Sequence, residues 1–220
     1  MPVKTHGTIN KCKKDIKARL GKQASGEAVV HAIDVFHRCS DQLLRQRLKA
    51  MPPVGFACRK GCDPCCHLRI EALPPEVFRI VAHLETLAGT RRRVLVGRLE
   101  RHLGYARGKT YRDYHAPCPF LGDGGACSIY AVRPRICRSH LSTSRSACET
   151  PGNARPDPAL RQAGDALAMA VIDIYKQRGL CMHPAELGQA VLRALTDDTL
   201  KGRWLAGEDV FERLPEGITL

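Results

Sequence analysis

The chain has 220 residues, enough for one domain with a real core. Aromatic residues make up only 5%, so the interior has to be aliphatic and alanine-rich, which favours helices over sheet. Nowhere do about eighteen apolar residues follow one another, and the lysine-rich beginning lacks an apolar leader stretch, so no membrane segment is expected and the chain reads as a soluble cytoplasmic protein.

The formal net charge of +13 is uneven. Residues 1–60 carry 13 basic and 4 acidic side chains, residues 61–150 carry 14 and 8, and residues 151–220 carry 8 and 10. A basic front suits a face that meets an anion, either nucleic acid or an acidic protein partner. Nucleic acid is disfavoured, because no recognition motif accompanies the charge. Part of the arginine excess balances thiolates once these are bound to metal.

Residues 1–24 are polar, basic and poorly periodic, and read as a loosely held arm. From Ser25 a long amphipathic helix is expected, with Val29, Val30, Ile33, Phe36, Leu43, Leu44 and Leu48 on one face and Pro52-Pro53 ending it. His37 and Cys39 lie on this helix as ordinary core or surface residues.

Four thiols then fall within nine residues: Cys58, Cys62, Cys65 and Cys66. Thiolates so close repel one another unless a cation neutralises them, so the stretch predicts a metal. Asp63-Pro64 reads as the cap and first position of a helix carrying Cys65 and Cys66 in its first turn, with Cys58 and Cys62 on the loop before it and Gly61 keeping that loop open. Adjacent helical side chains diverge by about 100°. Cys65 and Cys66 therefore either serve two metals, or one of them supports the other.

Pro74-Pro75-Glu76 opens a helix with Val77, Ile80, Val81, Leu84 and Leu87 on one side, closed by Gly89. Thr90 caps a basic helix to about Ala106, with Leu95, Leu99 and Leu103 inward and the Arg91-Arg92-Arg93 run on a solvated face; the two helices read as a hairpin. A polar connection with Tyr105, Tyr111 and Tyr114 then covers the metal region.

The second cysteine block contains Cys118, Cys127 and Cys137. The glycines between Cys118 and Cys127 read as a turn between ligands and not as a phosphate loop, because no Lys-Ser/Thr follows. Ile129 and Tyr130 anchor a helical turn to the core, and Pro134 re-aims the chain so that Cys137 returns to the metal. Cys148 follows a polar run and reads as the eighth ligand, since ligation is what would order it. His67 and His140, each near a ligand cysteine, are candidates to replace one, and Arg133 and Arg138 are candidates to stabilise the thiolates.

Asp157-Pro158 caps a helix with Leu160, Ala163, Leu167, Ala170, Val171 and Ile174 inward, ended by Gly179. Pro184 opens another with Leu187, Val191 and Leu195, followed by a short turn around Leu200–Trp204. Cys181 and His183 flank the junction; a Cys-x-His pair is able to bind metal, but packing is favoured here. No role follows for Cys12, Cys39 or Cys181.

The eleven cysteines are odd in number and include an adjacent pair, which favours metal binding over a disulfide framework. The spacing of Cys58, Cys62 and Cys65 is also that of a radical SAM cluster loop, but the surrounding chain lacks the alternating strands of a partial barrel.

The order Cys58-x3-Cys62-x2-Cys65-Cys66, Cys118-Pro119-Phe120-Leu121, Cys127-Ser128-Ile129-Tyr130, Arg133-Pro134-x2-Cys137-Arg138 resembles the YkgJ-type cysteine-cluster family, described as a zinc- or iron-chelating domain. The resemblance covers about residues 58–148 and implies metal chelation. Some relatives are larger flagellin lysine N-methylases, which implies an iron–sulfur cluster and S-adenosylmethionine for that branch. No glycine fingerprint for the nucleotide is seen here.

The expectation is thus a mainly α protein with little or no sheet, in which a helical bundle wraps an irregular cysteine-rich core. Residues 25–205 form the single domain, the cluster core lies at 58–148, and 206–220 is a tail. The metal ligands are Cys58, Cys62, Cys65, Cys66, Cys118, Cys127, Cys137 and Cys148, and the cofactor is zinc or an iron–sulfur cluster. The favoured function is metal binding, ahead of an iron–sulfur redox or methyl-transfer enzyme and a zinc-stapled nucleic-acid-binding module.

Overall fold

The computed structural model describes residues 5–21, 24–51, 55–59, 61–110, 113–149 and 156–212. The Pro52-Pro53 stop, Tyr111 and residues 213–220 lie outside them.

The architecture is mainly α. In chain order the helices are α1 (Thr5–Arg19), α2 (Gly26–His31), α3 (Ile33–Ala50), α4 (Pro74–Glu85), α5 (Gly89–Ala106), α6 (Arg135–Ser139), α7 (Arg145–Glu149), α8 (Pro158–Lys176), α9 (Leu187–Thr196) and α10 (Leu200–Leu205). Two short strands, β1 (Glu71–Ala72) and β2 (Ala185–Glu186), pair antiparallel with Glu71 opposite Glu186.

The region expected as a loose arm is instead largely helical and integral to the core. In α1, Thr8, Cys12 and Ile16 repeat every four residues, and Cys12 and Ile16 are fully buried. That stripe is one residue wide, too narrow to stand out in a basic sequence, yet it is enough to seat α1 on α3 and α8. The expected long helix from Ser25 is in fact two. Ser25 caps α2 by accepting from the Ala28 N–H at 3.2 Å, and Ala32, which keeps helical backbone angles, is the single residue between α2 and α3. Leu48, expected on the buried face, is exposed.

The face of α3 built from Ile33, Phe36, Cys39, Ser40 and Leu43 is buried, and α1, α6 and α8 pack around this helix. A second layer forms where α4 and α5 both lie against α9, so that α9 takes the place of the expected direct α4–α5 hairpin. Gly188 makes that crossing close, because a Cβ there would strike the His102 ring. His102 is buried and Leu103 is exposed, the reverse of the periodic expectation. His102 Nε2 donates to Glu186 at 2.9 Å and its Nδ1 meets the Tyr114 hydroxyl at 3.3 Å, so a polar pair takes the inward place.

Several starts differ by a residue or two from expectation. Gly89 opens α5 instead of closing α4, and β2 separates Pro184 from α9, whose cap is the Glu186 carboxylate accepting from Gln189 N–H at 2.7 Å. Asp157 caps α8 as expected, at 2.8 Å from Leu160 N–H, and also receives both guanidinium bonds of Arg47 at 2.8 Å. The described start of the expected tail is not loose: Val210 and Phe211 are buried, and Phe211 packs on Phe78, which also meets Trp204.

Candidate metal centre

The first cysteine block does not form the first turn of an α-helix. Pro64–His67 is a short 3₁₀ turn, and Asp63 contributes its backbone carbonyl, not its side chain, accepting from Cys66 N–H at 2.7 Å. Gly61, with φ of 78°, turns the loop that carries Cys62. Lys60 lies outside the described residues.

Two backbone links hold the blocks together. Cys118 donates its N–H to the Cys66 carbonyl at 2.7 Å, and Ala57 donates to the Ser142 carbonyl at 2.9 Å, while Ser142 N–H points at the Cys58 sulfur at 3.2 Å. The glycine turn closes with Leu121 bridged to Cys127 and Gly122 N–H bonded to the Ala126 carbonyl at 2.7 Å. Gly125, with φ of 74°, presses on Gly61, leaving no room for a Cβ: one placed there would lie 2.9 Å from the Gly61 oxygen.

Cys58, Cys62, Cys65, Cys66, Cys118, Cys127 and Cys137 line one cavity of about 1150 Å³, together with His140. Cys148 is half-buried on α7, which packs on the Pro64–His67 turn beside this cavity without lining it. No disulfide links the eleven cysteines, all of which are described.

The thiols feel one another. Burial pushes Cys118 up to about 12, and Cys127 adds to the effect. Cys137 is raised by burial and then by Cys118, Cys65 and Cys127. Cys65 is raised by its hydrogen bond with Cys66 and by burial, and Cys58 by burial together with Cys62, Cys65 and Cys148. Opposing this, the backbone N–H groups of Phe120 and Leu121 lower Cys118, and Ile129 N–H and the Arg133 charge lower Cys127. Thiols that repel one another while N–H dipoles point at their sulfurs are suited to a cation that takes the protons' place.

The donor set fits a thiophilic ion. Besides the sulfurs, His140 Nε2 is buried in the cavity wall without a hydrogen-bond partner among the described residues, and its ring is held towards the neutral form by burial. Bound zinc would act as a closed structural cross-link, and an iron–sulfur cluster would supply one-electron redox chemistry. The arrangement is open: among the described residues, the one group of three or more Cys, His, Asp or Glu side chains with all ligand atoms within 4.8 Å lies elsewhere, at Cys181, His183 and Asp209.

The arginines divide between two roles. Arg138 is buried and donates to Asp41 at 2.8 Å and to the carbonyls of Ala131 and Arg133 at 2.6 and 2.9 Å, so it fastens α6 to α3. Arg133 is the one whose charge reaches Cys127; it also stacks over the Tyr130 ring, 3.6 Å from its centroid. Tyr130 is exposed, and Ile129 and Val132 anchor that turn instead.

Glu76 escapes a motif-based reading. Fully enclosed at the start of α4, it accepts from His37 Nε2 at 3.0 Å, from Leu73 N–H at 3.0 Å and from Arg135 N–H at 2.7 Å. The last bond sets the first residue of α6 and hence Cys137. Its signal in the sequence was only its place after Pro74-Pro75.

A thiol-lined cavity gripped by a helical body defines a metal-chelating cysteine-cluster protein. Residues 57–155 match the family model CxxCxxCC, described as "Putative zinc- or iron-chelating domain". No curated protein and no solved structure matches the chain. No described helix is long and apolar enough to cross a membrane.

Proposed function

We propose that the eight cysteines Cys58, Cys62, Cys65, Cys66, Cys118, Cys127, Cys137 and Cys148 hold two metal centres that meet at the Cys65-Cys66 turn. Cys65 joins Cys118, Cys127 and Cys137, whose charges reach one another; the charges of Cys62 and Cys148 reach Cys58, and Cys66 is assigned to complete that second set. The observation that carries this reading is the convergence of seven of these thiols on one cavity. The Cys65 and Cys66 thiols are hydrogen-bonded to each other, so the two centres would touch at this pair, each taking one of the two sulfurs. Each set of four matches the closed shell of structural zinc, and equally the thiolate set of one iron–sulfur cluster. His140 stands by as a replacement donor.

The ions would draw the open thiols inward, since sulfurs around one zinc sit about 3.8 Å apart given bonds of about 2.3 Å. The role is then to chelate metal and, through it, to lock α6, α7 and the glycine turn to the helical body. Such thiols stay reduced in the cytoplasm, which is the proposed location.

The test is metal and sulfide analysis of protein purified without oxygen, with a visible spectrum. Two zinc per chain and no colour support the paired structural sites; a brown sample with iron and sulfide supports the cluster. A chain that binds neither metal at stoichiometric level overturns the reading.

A further inference from the structure

Outside residues 57–155, the stretch between α8 and β2 alternates inward and outward. Leu180 and Met182 are buried, so Cys181 and His183 fall on the opposite, accessible side. Asp209 comes to them from beyond α10, immediately before the buried anchors Val210 and Phe211. The two segments touch at glycines. Gly179 and Gly207 have φ of 76° and 96°, and a Cβ on Gly207 would lie 2.8 Å from the Gly179 carbonyl oxygen. Trp204, fully buried, fixes the same loop by donating Nε1–H to the Cys181 carbonyl at 2.8 Å.

The three ligand atoms converge: Cys181 Sγ is 3.4 Å from His183 Nδ1, which is 2.9 Å from Asp209 Oδ2, and all lie within 4.8 Å of one another. Sulfur and carboxylate meet the same ring nitrogen. A Cys-His-Asp catalytic relay needs opposite nitrogens, one for the nucleophile and one for the orienting acid, so this geometry does not build one. A cation at the centre satisfies all three donors at once. Tetrahedral zinc would set sulfur–nitrogen and nitrogen–oxygen separations of about 3.6 and 3.4 Å from its usual bond lengths, so the group needs to open by only a few tenths of an ångström.

We infer that Cys181, His183 and Asp209 form a separate site for a zinc-class divalent ion, bound through Sγ, Nδ1 and Oδ2 with a fourth position left for water. One thiolate, one imidazole and one carboxylate select borderline ions over magnesium or calcium. None of the three residues lines the cysteine-cluster cavity, so the site fills independently of it. Bound metal ties the segment after α10 to the loop that leads into β2.

The test uses the full chain with its cysteine cluster already loaded. Cobalt(II) is titrated in, and uptake is followed by visible absorption and by the fluorescence of Trp204, the single tryptophan. Wild type is expected to take up one cobalt more than His183→Gln and Asp209→Asn, with Trp204 quenched. In Cys181→Ser the thiolate-to-cobalt charge-transfer band should vanish and the affinity fall at least tenfold. The histidine and aspartate are 45% and 30% exposed, so these variants keep the fold, checked by far-UV circular dichroism. Equal cobalt uptake by wild type and both variants, or a wild-type Trp204 signal that does not respond, overturns the inference.

Discussion

The Cys118 N–H donates to the Cys66 carbonyl at 2.7 Å, so the last thiol of the first block and the first thiol of the second are backbone neighbours. This bond brings the two blocks together without metal. It does not bring three sulfurs to ligand distance, and metal has to complete the closure.

Replacing Cys65 or Cys118 with Ser should therefore remove one centre and leave the other, halving the bound metal per chain. The double variant Cys65→Ser/Cys66→Ser should lose both. Metal quantification after gel filtration reads this directly, and unchanged metal content in Cys65→Ser would remove that residue from the ligand set.

The Gly61–Gly125 contact yields a steric prediction. Gly125→Ala places a methyl 2.9 Å from a backbone oxygen at a residue with φ of 74°. It should destabilise the protein by about 1–3 kcal/mol and weaken metal binding with it. Gly104→Ala, inside α5 with nothing within 4 Å of the new carbon, should instead stabilise by about 0.5–1 kcal/mol. Urea unfolding of the two variants separates local strain from a general effect of added methyl groups.

Thiol ionisation supplies a pH signature. In the metal-free fold Cys118, Cys137, Cys58 and Cys127 all titrate above their ordinary range, burial being the first cause in each. A group with a raised folded pKa stabilises the fold fully below its unfolded value, about 8.5 for Cys, and that contribution is lost as pH rises towards about 12 for Cys118. Metal-free protein should thus lose melting temperature above about pH 8.5. Metal-loaded protein should not, because its thiolates are already deprotonated; it should instead release metal as pH falls. Melting curves from pH 6 to 10 with and without chelator check both directions.

Glu76 joins the helical core to the cluster. Its pKa is lowered: burial acts upward, and the hydrogen bonds from His37, Arg135 and Leu73 outweigh it. Its contribution is present above the unfolded carboxyl value of about 4.3 and is lost as pH falls through the lower folded value. Glu76→Gln should cost roughly 2–4 kcal/mol at neutral pH, flatten the acid limb of the stability profile, and lower metal affinity through the loosened start of α6. If Glu76→Gln melts like wild type at pH 7, the carboxylate is not what sets Arg135.

Much of the helical body is legible in the sequence. Val77, Ile80, Val81 and Leu84, or Leu160, Leu167, Val171 and Ile174, repeat at helical spacing because each helix buries one stripe. The stripe of α1 was too thin to see. The outward turn of Leu103 and Tyr130 was also hidden, since periodicity treats all apolar positions alike and cannot know that His102 has Glu186 waiting. The second site was half visible: Cys181-x-His183 is local, whereas Asp209 belongs to it only because Gly179 and Gly207 let two backbones touch.

Residue chemistry alone determined that this protein is helical, rich in closely spaced thiols and suited to a soft metal, because ligand type and spacing are local properties of the chain. Which thiols line one cavity, which arginine reaches a sulfur and which carboxylate positions Cys137 were decided by the tertiary structure. Those relations depend on distances between segments remote in sequence, and such distances exist only once the core has packed.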